Sequence, residues 1–390
     1  MTPPMWPPTQ DANSVTRFQA DGDAGAVADT IVAAGAGRPQ ALTAIFASAD
    51  YNLRELSSEL RSRGVERMIG AVTGRVLGAD GFRAAGVAGF HLPAARFAAA
   101  DTVLDDAAGI TLPELRRRAQ ELRHELESGP GGALRYRFAL LLVDAESRSE
   151  ERLAAVLGME LNGIPLIGGS AGDLYFNPLG HPLGSACLLH HDVVNRGGAL
   201  LCMVASASSV AAYCHNHYLR SDKKLVITDA DPPRRLVREI DGRPALEVYS
   251  AACGFRRPPR ESREFAPFPL MIRIGGNYYP RGMQRIYADG ALEFACALEP
   301  GLVVSLGKPG DMVASLAALY ASMRDRIGQP ELVIGVDCAA RTAYMEREQL
   351  TSGIQAQHEA HGVAGFSSLG EQFNTMHANN SFTCLGIARN

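Results

Sequence analysis

The sequence lacks the features of membrane, secreted and disulfide-rich proteins. No apolar run approaches the roughly 20 residues that a membrane-spanning helix needs, and the proline-rich start at residues 1–8 lacks the basic and then apolar pattern of a signal peptide. The seven cysteines are scattered and contain no Cys-x-x-Cys pair, which argues against a disulfide framework and a structural zinc site. We therefore expect a cytoplasmic protein in a reducing compartment, with a disordered N-terminus at residues 1–16.

The sequence also lacks an excess of either charge. Its 38 basic and 42 acidic residues are mixed along the chain and give a net charge of −4. A protein that binds nucleic acid or an anionic membrane usually carries a basic patch, so neither partner is expected. With 390 residues, of which 46% are hydrophobic, the chain can bury one large core or two ordinary ones.

Most signatures of enzymes are missing as well. The chain has no His-Glu-x-x-His zinc motif, no phosphate-binding Gly-x4-Gly-Lys-Ser/Thr loop, and no Gly-x-Gly-x-x-Gly that opens a helix. The glycine-rich turn at residues 168–172 could present Ser170 as a nucleophile, and Cys338 is a second candidate, but the sequence identifies neither a base nor an oxyanion hole. A hydrolase is therefore the weakest interpretation, and we expect no catalytic residue.

One pattern occurs three times along the chain. An apolar, strand-like run is followed by an amphipathic helix and by a second strand that ends in a turn of glycine and small polar residues. The copies begin at residues 42–47, 138–143 and 332–336, and the third has its helix near residues 342–356. This order predicts βαβ units with parallel strands. Alternating polarity between residues 184 and 297 predicts a further, more antiparallel sheet, so we expect an α/β fold with both mixed α/β and antiparallel sheets.

Small polar side chains lie where the second strand of each copy ends. Ligands of open α/β sheets bind at the carboxyl ends of strands, so these side chains are candidate ligand contacts. They are Thr73, Ser170, Asp173, Ser367, Ser368 and Glu371, and the C-terminal turn adds Asn380. The other interpretation is that glycine and serine only end the strands, and that the last turn holds the C-terminus in place.

Two histidines, His215 and His217, flank Asn216 in a strand-like segment at residues 211–218. Strand alternation places both imidazoles on one face. They could ligate one metal ion together, or one could bind haem iron while the other tunes it. The alternative is that both lie on the solvated face of an antiparallel sheet.

Several of these segments together resemble the FIST family of bacterial ligand-sensing proteins. The resemblance rests on Leu166-Ile-Gly-Gly-Ser-Ala-Gly-Asp173, on Gly365-Phe-Ser-Ser-Leu-Gly-Glu-Gln-Phe-Asn374, and on residues 224–231, 239–245, 294–298 and 336–338. It runs from about residue 40 to the end of the chain and implies a FIST N part followed by a FIST C part. The proline-rich loop that starts at Arg256 sets the expected boundary between residues 17–255 and 256–390.

Within this family the chain is most similar to the NosP branch of haem proteins that sense nitric oxide. The resemblance implies bound haem b, a diatomic gas ligand, and control of a partner that is either a histidine kinase or a cyclic-di-GMP enzyme. Members place a histidine just before an aromatic residue, ahead of a Leu-Val-Val-Thr type of strand. His217-Tyr218 stands at that position, so His217 is the expected ligand of the haem iron and His215 is the fallback.

The first turn departs from the family pattern. Relatives often carry a cysteine and a Gly-Glu pair there, whereas this chain has Ala71 in place of the cysteine and Arg75-Val76 in place of the pair. The alternative function is a haem-free FIST receptor for a small polar metabolite such as an amino acid. It would use Ser170, Asp173, Glu371 and Asn380. The sequence leaves open whether the protein forms a homodimer.

Overall fold

A computed structural model describes residues 13–172 and 186–389, and within these ranges the chain forms eight α-helices and four sheets. The helices are α1 (Ala24–Gly35), α2 (Leu53–Ser62), α3 (Leu112–Ser128), α4 (Glu150–Glu160), α5 (Ala245–Cys253), α6 (Met312–Ile327), α7 (Ala339–Arg347) and α8 (Thr351–Ala360). The strands of the first half are β1 (Thr16–Ala20), β2 (Gln40–Ser48), β3 (Met68–Thr73), β4 (Val76–Gly78), β5 (Gly81–Arg83), β6 (Val87–Pro93), β7 (Phe97–Leu104), β8 (Tyr136–Asp144), β9 (Leu166–Ala171), β10 (Leu188–His190), β11 (Val193–Asn195), β12 (Ala199–Ser206) and β13 (Val210–His215). Those of the second half are β14 (Tyr218–Asp231), β15 (Leu236–Ile240), β16 (Arg243–Pro244), β17 (Leu270–Ile274), β18 (Asn277–Arg281), β19 (Met283–Ile286), β20 (Leu292–Phe294), β21 (Val303–Pro309), β22 (Pro330–Cys338), β23 (Val363–Ser368), β24 (Glu371–Phe373), β25 (Met376–Ala378) and β26 (Phe382–Ala388). The predicted mixed α/β class is confirmed.

Three of the sheets have six strands each and repeat one topology. Their strand orders are β1-β6-β2-β3-β10-β11, β7-β12-β8-β9-β24-β25 and β13-β26-β22-β23-β4-β5. The parallel pair in each is β2 with β3, β8 with β9, or β22 with β23, and every other pair is antiparallel. These parallel pairs are the three predicted strand-helix-strand units. Their strands read as continuous apolar runs because they are buried on both faces.

The third unit contains two helices, not the single one that the sequence predicts near residues 342–356. The segment divides into α7 and α8. Gln349 lies between them with a φ of 57°, in the left-handed region that a continuous α-helix does not allow. The apolar periodicity continues across the break, so the sequence pattern does not show it.

The hairpin that follows the second strand of each unit pairs with the sheet of a different unit. The hairpin β4–β5 pairs with β23, β10–β11 pairs with β3, and β24–β25 pairs with β9. As a result Val76 lies opposite Phe366, and Glu371 lies opposite Gly169. This cyclic exchange interlocks the beginning and the end of the chain.

The inner faces of the three sheets share one apolar core. Phe46 of the first unit stacks on Phe366 of the third, with ring centroids 4.6 Å apart. Gly169 of the second unit lies so close that an added Cβ would be 2.5 Å from Cγ1 of Val336 and 2.8 Å from the Phe366 ring. Only glycine therefore fits where the three units meet.

The fourth sheet is antiparallel and lies in one insertion between β13 and β22. It contains β14 to β21 and packs with α5 on its own apolar core. It confirms the antiparallel sheet predicted in the middle of the chain. The two ends of the insertion meet, because the Gly310 N–H donates a hydrogen bond of 3.0 Å to the His217 carbonyl. The proline-rich loop that starts at Arg256 connects α5 to β17 inside this insertion.

All seven cysteines are free thiols. No helix in the described ranges combines the length and the apolar character needed to cross a bilayer.

Candidate functional site

The three strand-end turns come together at the centre of the molecule. Thr73 forms a parallel bridge with Gly172, and its hydroxyl donates a hydrogen bond to the Ser367 carbonyl. The Ser170 N–H donates to the Gly370 carbonyl at 2.8 Å, and the Leu369 N–H donates to the Ser170 carbonyl at 3.1 Å. The structure thus brings together the predicted turn residues of all three copies.

Glu371 is a fully buried acid of this central cluster. Its Oε1 accepts a hydrogen bond of 2.7 Å from the Ser368 hydroxyl, and its Oε2 accepts one of 2.6 Å from the Ser381 hydroxyl. Burial raises the pKa of Glu371 to about 8 and the negative charge of Asp337 adds to the rise, although the serine hydrogen bonds lower it. Glu371 is therefore largely protonated at neutral pH.

The remaining strand-end residues are also buried and bonded to the protein. The Ser170 hydroxyl donates to Oε1 of Glu150 at 3.4 Å and accepts from Nε2 of Gln372 at 3.1 Å. The hydroxyl of Ser367 lies 3.4 Å from that of Thr342. Ser170 lies within β9 and not at the start of a helix. These contacts join the units to one another, and binding of a ligand by this cluster stays a prediction. Asp173 lies outside the described residues.

His217 lies where the chain passes from β13 to β14, and it is 3% exposed. Its ring packs against the rings of Tyr218 and Tyr344, at centroid distances of 4.1 and 5.0 Å. Neither ring nitrogen has a hydrogen-bond partner in the described part of the chain. Burial lowers the pKa of His217 to about 3, and the charges of Arg341 and His215 lower it further. The imidazole is therefore neutral at pH 7, the form that binds a metal.

His215 ends β13 and is half-buried. Its Nε2 is buried and has no partner among residues 13–172 and 186–389. Burial, together with the charge of Arg341, lowers its pKa to about 3. The burial of both histidines excludes the interpretation that they lie on a solvated sheet face. The predicted alternation also ends at His215, since Asn216 and His217 are outside the strands.

Arg341 supplies the positive charge near both histidines. It lies in the first turn of α7 with a fully buried side chain, and its Nε donates to Oδ1 of Asp337 at 2.9 Å. Its Nη1 and Nη2 have no partner in the described ranges. Buried guanidinium nitrogens are normally paired, so this group favours neutral or anionic neighbours.

A cavity of about 570 Å³ lies between α7 and the insertion. Its walls include the aromatic rings of Tyr249, Phe265 and Tyr344, the side chain of Met283, and two arginines, Arg263 and Arg347. Asn380 also lines it, and the Asn380 amide donates to the Tyr218 hydroxyl at 3.3 Å. Tyr344 lines the cavity and also contacts His217, which is not itself a lining residue.

These residues fit a haem in three respects. His217 offers a neutral imidazole whose nitrogens are unpaired within the described structure. The neighbouring cavity has the size typical of cofactor sites, roughly 300–1,000 Å³, and largely apolar walls. Arginine is the side chain best suited to pair with propionate carboxylates, and the cavity contains two. Against these three points, His217 is not among the residues that line the cavity.

The sequence gives no signal for several residues of this site. Arg341 and Tyr344 come from α7, whereas Tyr249, Phe265 and Met283 come from the insertion. None of them belongs to a local motif. Only the packing of α7 against the insertion places them beside His217.

The sequence matches the family model of the FIST N domain over residues 41–243 and that of the FIST C domain over residues 245–374. No curated protein matches the chain. Among solved structures, cyanuric acid hydrolase from A. caulinodans aligns over 96% of this chain and 99% of its own, with 8% identity and a TM-score of 0.33. That likeness is too low to support an argument about fold or chemistry.

Proposed function

The chain belongs to the FIST family, whose domains are sensors in signal transduction, and we propose that it senses nitric oxide or another diatomic gas through haem, as in the NosP branch. The observation that carries the proposal is the environment of His217. The imidazole is buried and neutral, and both of its nitrogens lack a partner in the described structure. Burying such polar atoms without hydrogen bonds lowers the stability of the fold unless a ligand binds them.

His217 holds the iron in this proposal, and the residues of the cavity hold the rest of the group. When bound, haem b would supply an iron that can bind a diatomic gas. Arg263 and Arg347 would pair with its carboxylates, and the apolar side chains of Phe265 and Met283 would exclude water from the cavity. Tyr344, which lines the cavity and contacts His217, would have to move for the imidazole to face the cavity.

The position of His217 also suggests how binding becomes a signal. Its carbonyl accepts the hydrogen bond from Gly310 that closes the base of the insertion. A change in the strength of the bond between iron and His217 would therefore affect the point where the third six-stranded sheet joins the insertion. Gas binding can move the insertion only if the protein has two conformations that differ in the position of the insertion and in their affinity for the gas. The regulated partner, a histidine kinase or a cyclic-di-GMP enzyme in the cytoplasm, would contact the insertion.

The haem-free receptor for a small polar metabolite is not favoured. Two of the polar groups that it needs, Ser170 and Glu371, are buried and bonded to other protein groups. Asn380, the third described residue of the set, lines the cavity beside Tyr344.

The test is the absorption spectrum of the purified full chain during titration with haem, followed by addition of nitric oxide. We expect uptake of one haem per chain and a Soret band that shifts with nitric oxide. His217→Ala should remove the protein ligand, so that haem binds more weakly and added imidazole restores the band. His124→Ala is the matched control, because His124 is exposed on α3.

Three outcomes decide between the hypotheses. Absence of haem uptake by the wild-type chain would exclude the proposal. Loss of the band in His215→Ala but not in His217→Ala would assign the iron to the fallback histidine. Thermal stabilisation by an amino-acid panel, without haem uptake, would support the metabolite receptor instead, since a ligand at a hundred times its Kd adds about 2.7 kcal/mol of stability.

A further inference from the structure

A second cluster of potential metal ligands lies away from the haem site, between the first and second six-stranded sheets. Asp101 is on β7, at the edge of the second sheet. His190 ends β10 of the first sheet, and His191 lies in the turn between β10 and β11. The three residues offer ligand atoms that all lie within 4.8 Å of one another.

Both imidazoles converge on the same carboxylate oxygen. Nε2 of His190 lies 2.6 Å from Oδ1 of Asp101, and Nε2 of His191 lies 3.1 Å from that same atom. The two rings are 4.0 Å apart. Arg67 approaches the other oxygen, with Nη1 3.6 Å from Oδ2. Oδ1 is thus left to the two histidines.

The backbone of His191 has an unusual conformation in the turn between β10 and β11. Its φ is 56°, in the left-handed region that residues other than glycine seldom adopt. Its Nδ1 is buried without a hydrogen-bond partner in the described structure. Asp101 is also almost fully buried, with a side chain that is 2% exposed. The unpaired Nδ1 does not face Asp101, but the left-handed backbone of His191 is local strain of the kind that often marks a functional site.

We propose that Asp101, His190 and His191 bind a divalent transition-metal ion of the zinc type. Two imidazole nitrogens and one carboxylate oxygen are a common donor set for such ions. Ligand atoms about 2.0–2.2 Å from a tetrahedral ion lie roughly 3.3 Å from one another, so the His190 separation of 2.6 Å must open by about 0.7 Å and the His191 separation of 3.1 Å by about 0.2 Å. Each histidine binds through Nε2 and carries its proton on Nδ1. The histidine side chains are 22% and 31% exposed, so a fourth position faces water.

The ion links two elements that no β-ladder joins directly. It holds the β10–β11 hairpin of the first sheet to β7 of the second. Arg67 supplies the outer contact that orients the carboxylate. The site uses no residue of the haem cavity and does not rest on the proposed gas-sensing function.

The test measures metal binding to the full chain without haem. Chelator-treated protein is titrated with Zn²⁺ in competition with a coloured indicator, and the metal content is counted after dialysis. The test variant is His190→Gln combined with His191→Asn, because asparagine tolerates the left-handed conformation at position 191. The control is His124→Gln, on the exposed face of α3. We expect one tightly bound Zn²⁺ in the wild-type and control chains, and an affinity at least about 100-fold lower in the double variant, since changes at outer contacts alone cost about 10–100-fold.

A second measurement keeps the proposal testable if the double variant does not fold. X-ray absorption of the zinc-loaded wild-type chain should show nitrogen and oxygen ligands with two imidazoles and no sulfur. A wild-type chain that binds no zinc, a folded double variant that binds it equally well, or a sulfur ligand would each overturn the proposal. A sulfur ligand would place the metal at the cysteines instead.

Discussion

Replacing Glu371 by glutamine should change how the stability of the fold depends on pH. Burial raises the pKa of this carboxyl from 4.5 to about 8. Between these two values the folded chain retains a proton on Glu371 that the unfolded chain has lost. The folded state therefore binds more protons in this window, and the free energy of unfolding falls as the pH rises.

The size of the effect follows from the pKa difference. Each pH unit inside the window removes up to about 1.4 kcal/mol of stability. Between pH 6.5 and 8 the ionisation of Glu371 should remove about 1.5 kcal/mol of stability, because the curve flattens as the folded pKa is reached. The buried histidines with lowered pKa, such as His215 and His217, act in the opposite direction, by up to about 0.4 kcal/mol each over this interval. Their effect is the same in the wild-type and Glu371→Gln chains, so the difference between the two chains isolates Glu371.

Glutamine keeps the shape of the side chain and cannot ionise. Its carbonyl can accept from one serine hydroxyl while its amide donates to the other, so Ser368 and Ser381 keep partners. The Glu371→Gln chain should therefore lack the loss of stability that Glu371 causes between pH 6.5 and 8. Its stability relative to the wild-type chain rises by about 1.5 kcal/mol over that interval.

The assay is equilibrium unfolding in urea at half-unit steps from pH 6.5 to 8, with Glu66→Gln as the control at an exposed position. The control should follow the wild-type curve. Parallel curves for the wild-type and Glu371→Gln chains would refute the reasoning, because they would mean that Glu371 is already ionised in the folded state at pH 6.5.

Two further substitutions test the packing and the buried ion pair. Gly169→Ala should lower the free energy of unfolding in urea by about 1–3 kcal/mol, because its Cβ would lie 2.5 Å from Cγ1 of Val336. The control, Gly25→Ala in helix α1, has its nearest contact at 3.4 Å and should not destabilise the chain. Equal effects at the two sites would contradict the close contact at Gly169. Arg341→Met should cost on the order of 3–5 kcal/mol because it leaves the buried Asp337 with only His358, 3.8 Å from its Oδ2, as a partner in the described residues. Adding Asp337→Leu should recover much of that loss in the same assay. A double variant no more stable than Arg341→Met would show that the pair is not the cause.

The sequence was most informative about the elements that local pattern controls. The apolar runs at residues 42–47, 138–143 and 332–336 correspond to β2, β8 and β22, because a parallel strand buried on both faces must be apolar throughout. The break at Gln349 was missed, since a left-handed residue between two helices leaves the apolar period almost unchanged. The resemblance carried by residues 166–173 and 365–374 pointed to the FIST family, which the matching domain models confirm.

By itself the sequence determined the three units, the antiparallel sheet of the insertion and the turns rich in small polar residues, because each depends on side chains a few positions apart. Only the tertiary structure decided that the units exchange their hairpins, which places Glu371 beside Gly169 and buries it deeply enough to raise its pKa. It likewise decided that α7 covers His217 and that His190 meets Asp101. These contacts join residues about 90 to 200 positions apart in the sequence. They depend on how whole sheets pair and pack, which no local sequence pattern determines.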